Sequence, residues 1–305
     1  MELFEAIILS VLAASTPLLI AATGELVTER AGVLNLGVEG MMIVGAACGF
    51  GGALLTGSTT VGAICGIAAG TALSLVFALM TLGLAVNQVA TGLALTILGI
   101  GLSGLIGAGF VGERITPAPQ LYIPGLTDIP ILGRILFGED GFVYASLLMV
   151  VGVWLFLYRT RSGLIIRAVG DNHVSAHALG YPVLKIRLGA VMFGGACAGL
   201  AGAYLPLAYT PFFVPGMTAG RGWIALALVV FSSWRPGRLV IGAYLFGAVT
   251  ILQLHAQGWG VGIPSQFMSA LPYLATVIVL VLISRARAGG STAPAALGTV
   301  FVPDR

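Results

Sequence analysis

The chain has 305 residues, of which 58% are hydrophobic and 8% are charged, and its formal net charge is +3. Soluble domains carry about 25% charged residues, so this composition excludes a protein whose whole surface faces water. The positive charges lie at the edges of predicted loops rather than in a stripe, which gives no indication of nucleic-acid binding. We therefore predict an all-α, polytopic bundle of transmembrane helices in a lipid bilayer.

Hydropathy predicts about 8–10 membrane helices, at least one of them broken, because a spanning helix needs about 20 mostly apolar residues. One predicted span, 221–234, is short enough to be tilted, broken or merged with its neighbour. In chain order the predicted spans are 4–23, 33–55, 60–82, 88–110, 141–158, 188–208, 221–234, 239–257 and 267–284.

The loops between these spans predict one orientation. Five of the fourteen Lys and Arg residues fall in segment 159–187, and basic loops prefer the cytoplasm. Alternation then places the proline-rich loop 111–140 and the N-terminus outside, and the C-terminus in the cytoplasm. In this interpretation residues 1–284 form one transmembrane domain, and residues 285–305, which lack helical periodicity, form a mobile cytoplasmic tail.

Polar residues inside apolar spans mark a candidate translocation pathway. Asn35 and Glu39 are four residues apart and would share one face of a helix, and a charge at the centre of a lipid-facing helix costs about 3 kcal/mol. Gly32, Gly37 and Gly40 would let the helix break, which membrane proteins tolerate where the backbone lines a cavity. Structural hydrogen bonding between helices is the alternative.

Other polar residues have two interpretations each. Glu25, Glu29 and Arg30 precede the same pair, and we expect Glu29 and Arg30 at the membrane edge, as interfacial anchors or a local ion pair. Asn87 and Gln88 open the fourth predicted span, where they either line the pathway or cap the helix.

The sequence contains no motif for catalysis or nucleotide binding. Lys185, the only lysine, follows no phosphate-binding loop, and neither HExxH nor GxSxG is present. The three cysteines lie in apolar runs without disulfide or metal-ligand spacing. His173 and His177 are four residues apart without an evident third ligand, so we interpret them as solvated loop residues. We predict no enzyme activity, no cofactor and no metal site.

Glycine is unusually frequent: it accounts for 45 of the 305 residues, about twice its average share of ~7%. Small residues at four-residue spacing let helix backbones approach closely in lipid. We favour packing within one subunit over a dimer interface. The spacings are Gly45/Gly49, Gly62/Gly66/Gly70 and Gly195/Gly199.

Two segments, TERAGVLNLGVEGMMIVGA (Thr28–Ala46) and YRTRSGLIIRAVGDNHVSAHALGY (Tyr158–Tyr181), resemble the membrane permeases of bacterial ABC importers. The likeness is to the ribose and branched-chain amino acid branch, and most to nucleoside permeases that work with lipoprotein receptors of the basic membrane protein type. MTAGRGWIALALVVF (Met217–Phe231) and the pieces IPSQ and LPYLAT are also similar. The likeness covers nearly the whole chain, from about residue 10 to residue 284.

The resemblance implies a division of labour between subunits. Segment Ala168–Tyr181 would carry a short coupling helix that docks into a groove on a separate ATPase, with small residues for close approach and polar residues for specific contacts. Segment Gly24–Met42 would be a bent helix near the translocation route. The implied coupling residues are Arg167, Ala168, Gly170, Asp171, Asn172, Ala176 and Gly180.

The resulting prediction is a permease subunit of an ATP-driven importer in the bacterial plasma (inner) membrane, moving a small polar solute by alternating access. Nucleosides are the leading cargo. The implied partners are a cytoplasmic ATP-binding subunit, a second related permease subunit and an extracytoplasmic substrate-binding lipoprotein. Alternatives are a permease for simple sugars or branched-chain amino acids, a membrane scaffold, and an ion-gradient-driven transporter that would use Glu39.

Overall fold

A computed structural model describes residues 2–127, 129, 132–258, 264, 267, 270, 271, 273–275, 277, 278, 281 and 293–302. Within them every named element is a helix, which confirms the all-α class. The α-helices are α1 (Glu2–Arg30), α2 (Val38–Thr56), α3 (Thr59–Ala78), α4 (Gln88–Gly107), α5 (Leu132–Phe137), α6 (Gly141–Arg159), α7 (Arg161–Asp171), α8 (His173–Ala178), α9 (Val183–Tyr204), α10 (Arg221–Ser232) and α11 (Pro236–Gly258).

Seven helical stretches in the described part of the chain are long and apolar enough to cross a membrane. They comprise α1, α2, α4, α6 and α11, together with α3 and α9 extended by short π-helical turns at Leu79–Gly83 and Leu205–Tyr209. Pro206 lies in the second turn and has no backbone N–H to donate, which accounts for the change of helix type there. The predicted span 267–284 lies largely outside the described residues.

Helix α1 is longer than the predicted span 4–23, because it continues to Arg30 through two carboxylates. Glu25 and Glu29 are both buried against other parts of the chain rather than placed at the lipid surface. Their hydrogen bonds to protein donors allow the helix to continue where the charge pattern predicted its end.

The centre of the bundle is a stack of α2, α3 and α9 in which glycines face each other. A Cβ added at Gly45 would lie 2.5 Å from the carbonyl oxygen of Gly199, and one at Gly62 would lie 2.6 Å from that of Gly49. Gly70 and Gly195 also leave no room for a Cβ. The four-residue glycine spacings therefore serve packing inside this chain, as predicted.

Helix α1 packs against α6, α9, α10 and α11, and its two ends mark the two ends of the bundle. Near the first, Glu5 forms an ion pair with Arg134 of the 111–140 loop at 3.5 Å. Near the other, Arg30 donates to the carbonyl oxygen of Trp234 from Nε at 3.1 Å and from Nη2 at 2.7 Å. The 111–140 loop and the basic segment 159–187 thus lie at opposite ends. The loop also contains α5, so it is not extended throughout.

The short span predicted at 221–234 is α10, a helix of twelve residues. It ends at Ser233 and Trp234, both in the left-handed conformation, and α11 starts at Pro236. This tight turn keeps α10 and α11 as two separate helices that pack on each other and on α1.

Residues 293–302, which we call the tail segment, differ from the expected mobile tail. The backbone N–H of Ala296 donates to Gly170 O at 2.9 Å, and that of Gly298 donates to Gly32 O at 3.2 Å. The absence of helical periodicity excluded a helix, but an irregular chain can still be held when its backbone groups find partners.

Candidate functional site: the helix break and the basic segment

The helix break is the non-helical stretch Ala31–Gly37 between α1 and α2. Gly32 adopts φ +85°, a left-handed conformation that side chains disfavour, and its N–H donates to Glu29 O at 2.9 Å. The break joins two helices that are each long enough to span a membrane, so it lies between two spans and not, as predicted, inside one. All seven residues of the break are buried or half-buried inside the bundle.

Asn35 lies within the break and uses its polar groups locally. Its backbone N–H donates to Glu25 Oε1 at 3.1 Å, and its side-chain oxygen accepts from the N–H of Gly37 at 3.0 Å. Because α2 begins only at Val38, Asn35 and Glu39 are not on one helix, and the shared helical face was a wrong prediction.

Glu39 is buried in the first turn of α2 and caps α10 across the bundle. Its Oε1 accepts from Thr218 Oγ1 at 2.6 Å and from the N–H of Gly220 at 2.8 Å, and its Oε2 accepts from the N–H of Gly222 at 2.6 Å. The first N–H groups of a helix lack partners within it and carry partial positive charge. Both carboxylate oxygens are therefore engaged in holding α10.

The amide pair at the start of α4 divides into two roles. Asn87 is exposed, and its Oδ1 accepts from the N–H of Ala90 at 3.0 Å, so it caps the helix. Gln88 is buried, and its Oε1 accepts from the N–H of Leu34 in the helix break at 2.8 Å. Its Nε2 has no hydrogen-bond partner among the described residues.

Glu25 Oε2 and Glu29 Oε1, both on α1, also have no hydrogen-bond partner in the described part of the protein. The second oxygen of Glu29 accepts from Trp234 Nε1 at 2.5 Å. The expected ion pair between Glu29 and Arg30 is absent from the described residues, since both side chains bind Trp234 instead. An unpaired buried polar atom costs about 1–3 kcal/mol, so these atoms need an explanation that the fold alone does not give.

The basic segment folds as a helical hairpin, α7 followed by α8. Asn172 separates the two helices, and its Oδ1 accepts from the N–H of Ser175 at 2.9 Å to cap α8. Gly180 then reverses the chain at φ +86°, with no atom within 4 Å of the place that a Cβ would take.

The predicted coupling residues separate by exposure. Ala168, Asp171, Asn172 and Gly180 are exposed and Arg167 is half-buried, so these five can meet a partner. Gly170 and Ala176 are buried. A Cβ at Gly170 would overlap the carbonyl oxygen of Arg30, and Ala176 packs in an apolar cluster with Val169 and Val183. Gly170 and Ala176 therefore stabilise the hairpin by packing inside the protein and do not contribute to a partner-binding surface.

The interpretation of His173 and His177 as solvated loop residues holds for His177, which is exposed, and is corrected for His173, which is half-buried. Their rings lie 5.1 Å and 5.3 Å from the ring of Phe301 in the tail segment. Arg187 Nη2 is 3.2 Å from His173 Nδ1. Partial burial, and then the charge of Arg187, lower the pKa of His173 from its ordinary value.

Sequence comparison identifies the family. A family model described as the permease component of the branched-chain amino acid transport system matches residues 7–284. The chain belongs to this permease family. It is an ABC transporter permease subunit, a multi-pass membrane protein that takes part in transport and is not an enzyme.

Three relatives of the permease carry more specific names. A Haloferax volcanii protein named putative glucose ABC transporter permease protein TsgC13 is 47% identical over 289 residues, 88% of each chain. The guanosine ABC transporter permease protein NupQ of Bacillus subtilis is 30% identical over 99% of this chain and 98% of its own. The nucleoside ABC transporter permease protein NupC of Lactococcus lactis is 30% identical over 98% and 97%. The prediction of a nucleoside as cargo is therefore not confirmed.

The permease also exposes apolar side chains on its basic segment that sequence reasoning did not single out. Val174 is 64% exposed and Leu179 is 78% exposed, both within or next to α8. In the sequence they resemble any apolar residue of an amphipathic helix. They are exposed because the opposite face of the hairpin, which contains Ala176 and Val169, is the one that packs against the rest of the protein.

Proposed function

We propose that this permease imports a small polyhydroxylated solute, and we favour a hexose over a nucleoside. The hairpin α7–α8 couples the permease to a cytoplasmic ATP-binding subunit. The solute crosses by alternating access near the helix break. A related permease subunit and an extracytoplasmic substrate-binding lipoprotein complete the assembly. The single observation that carries the coupling role is the exposed apolar pair Val174 and Leu179 at the basic end of the bundle.

Exposed apolar side chains beside polar ones are typical of a protein-binding surface. Val174 and Leu179 are on the same hairpin as the exposed polar residues Asp171 and Asn172, and this hairpin follows the final turn of α6. Arg159 and Arg167 lie over the rings of Trp154 and Tyr158 at 5.8 Å and 5.0 Å. Such aromatic and basic residues are typical of a membrane interface, which supports a hairpin that projects into water.

The helix break supports a pathway for polar solutes. Its buried surroundings contain unpaired acceptors at Glu25 Oε2 and Glu29 Oε1 and an unpaired donor at Gln88 Nε2. Hydroxyl groups both donate and accept, so a polyhydroxylated solute can bind groups of either kind. Of the four predicted pathway residues, Gln88 alone keeps an unpaired buried atom in the described part, while the side-chain oxygens of Asn35, Glu39 and Asn87 accept hydrogen bonds that hold the fold.

The choice of a hexose follows the relatives. The Haloferax volcanii protein at 47% identity is named for glucose, whereas the two at 30% are named for guanosine and nucleosides. The rival interpretation as an ion-driven transporter relied on Glu39, which instead has both oxygens hydrogen-bonded at the start of α10.

Leu179→Asp tests the docking surface. We expect this change to lower the amount of ATP-binding subunit that co-purifies with the permease by about tenfold, because a charge replaces a central apolar contact. The matched control is Leu121→Asp, which makes the same substitution at an exposed leucine of the 111–140 loop, at the opposite end of the bundle. It should leave co-purification unchanged. Normal retention of the ATP-binding subunit by Leu179→Asp would contradict the coupling role.

Uptake by the reconstituted complex tests the cargo. We expect ATP-dependent accumulation of labelled glucose that unlabelled glucose abolishes and excess guanosine leaves unchanged. The reverse pattern of competition would assign the permease to nucleosides. Uptake that persists without the ATP-binding subunit and collapses with the proton gradient would contradict an ATP-driven importer.

A further inference from the structure

The tail segment joins two parts of the protein that are far apart in sequence. At one point the N–H of Ala296 donates to Gly170 O at the end of α7, and at another the N–H of Gly298 donates to Gly32 O in the helix break. Ten residues of irregular chain therefore connect the proposed coupling hairpin directly to the proposed pathway.

Arg187 reinforces this connection from α9. Its side chain is fully buried, and Nε donates to Ala31 O in the helix break at 3.1 Å. Nη1 donates to Thr299 O in the tail segment at 3.0 Å, and Nη2 lies 3.2 Å from His173 Nδ1 at the start of α8. A single guanidinium thus contacts the break, the tail segment and the hairpin, and its planar fork of donors suits such a three-way arrangement.

Phe301 provides the apolar half of the contact. It is 8% exposed and packs in a cluster with Val169, Ala176 and Val183, one residue from each of α7, α8 and α9. The rings of His173 and His177 lie edge-on to it. The side of α8 that faces the bundle is therefore covered by the tail segment, while Val174 and Leu179 remain exposed to a partner.

We propose that the tail segment transmits movement of the hairpin to the helix break, with Phe301 and Arg187 as positioning residues. This inference rests on the proposed coupling function. Displacement of α8 by the ATP-binding subunit moves Phe301 and the guanidinium of Arg187 with it. Arg187 is bound to Ala31 O, and the tail segment that carries Phe301 is bound to Gly32 O through Gly298. Gly170, which allows no Cβ against Arg30, keeps the end of α7 in direct backbone contact with the end of α1.

Phe301→Ala separates transmission from docking. In proteoliposomes of the complete transporter we expect the ATP-binding subunit to remain bound, since Val174 and Leu179 are untouched. The number of ATP molecules hydrolysed per solute imported should rise about tenfold, in the range typical of coupling between sites. The matched control is Val302→Ala, a change of the exposed neighbouring residue, which should leave that ratio unchanged.

Phe301→Leu guards against a simple folding defect, because it keeps most of the apolar volume. We expect a smaller rise in the same ratio, about threefold, with normal assembly. A wild-type ratio in Phe301→Leu, or in an assembled Phe301→Ala, would overturn the proposal. Failure of Leu179→Asp to release the ATP-binding subunit would instead overturn the coupling function itself, so the two failures are distinguishable.

Discussion

The helix break and the basic segment contain similar polar residues but use them in opposite ways. Asn35 in the break and Glu39 just after it are buried, and their hydrogen bonds hold the fold. In the basic segment, Asp171 and Asn172 are exposed, and the buried places are taken by Gly170 and Ala176.

The difference teaches that a polar residue in a membrane segment is not by itself a transport residue. What distinguishes a candidate site is a buried polar atom that the fold leaves unpaired, as in Glu25, Glu29 and Gln88. In the water-exposed hairpin the rule is reversed, and the informative residues are the apolar ones that remain uncovered.

The largest effect expected from this comparison is on the stability of Glu39→Ala. The change leaves Thr218 and the N–H groups of Gly220 and Gly222 without an acceptor, so the free energy of unfolding should fall by about 3 kcal/mol. Denaturant titration in mixed micelles measures it.

Asp171→Ala is the matched change in the exposed hairpin. It should alter the free energy of unfolding by no more than about 0.5 kcal/mol, while reducing ATP-driven uptake. Equal destabilisation by Glu39→Ala and Asp171→Ala would contradict the expected difference between buried and exposed carboxylates.

An intermediate effect is expected for Glu25→Gln. The amide oxygen can still accept from the N–H of Asn35, so the helix break should keep its structure, and removal of a buried charge should leave stability equal or higher. Uptake should fall about tenfold if the unpaired oxygen contacts the solute.

Thermal melting and uptake, measured on the same preparation, check both parts of this expectation. Glu113→Gln, which changes an exposed carboxylate, serves as the control. Normal uptake by Glu25→Gln would show that Glu25 Oε2 does not contact the solute.

A pH-dependent effect is expected for another buried carboxyl with an unpaired oxygen, Glu139, at the opposite end of the bundle. Burial, and then the charge of Asp140, raise the pKa of Glu139 from 4.5 to about 7. The folded protein therefore binds this proton more tightly than the unfolded chain. The resulting stabilisation is complete below about pH 4.5 and is lost as the pH rises through about 7.

The melting temperature of the wild-type protein should thus fall between pH 5 and pH 7.5 by more than that of Glu139→Gln. Asp140 is left in place in both proteins, because it caps α6 through the N–H groups of Phe142 and Val143. Parallel melting curves for the two proteins would show that Glu139 titrates as an ordinary exposed carboxyl.

Several parts of the structure could be predicted from local sequence alone. Apolar length predicted the spanning helices, Gly32 predicted the break, and the glycine spacings predicted the packing of α2, α3 and α9. Each depends on neighbouring residues in the sequence or on the size of one side chain.

The rest depended on partners that are distant in sequence. Glu39 caps a helix that begins at Arg221, and Glu29 binds Trp234. The tail segment pairs with Gly32 and Gly170. No periodicity in the sequence records such pairings, so the end of α1, the role of Asn35 and the docking of the tail segment were not predictable.

The glycine contacts of α2, α3 and α9 have a consequence for the transport cycle. Where backbone lies against backbone, there are few side chains that could switch rotamers to let one helix slide past another. These three helices are therefore expected to travel together as one rigid body. The change between inward and outward access would then take place around this body rather than within it.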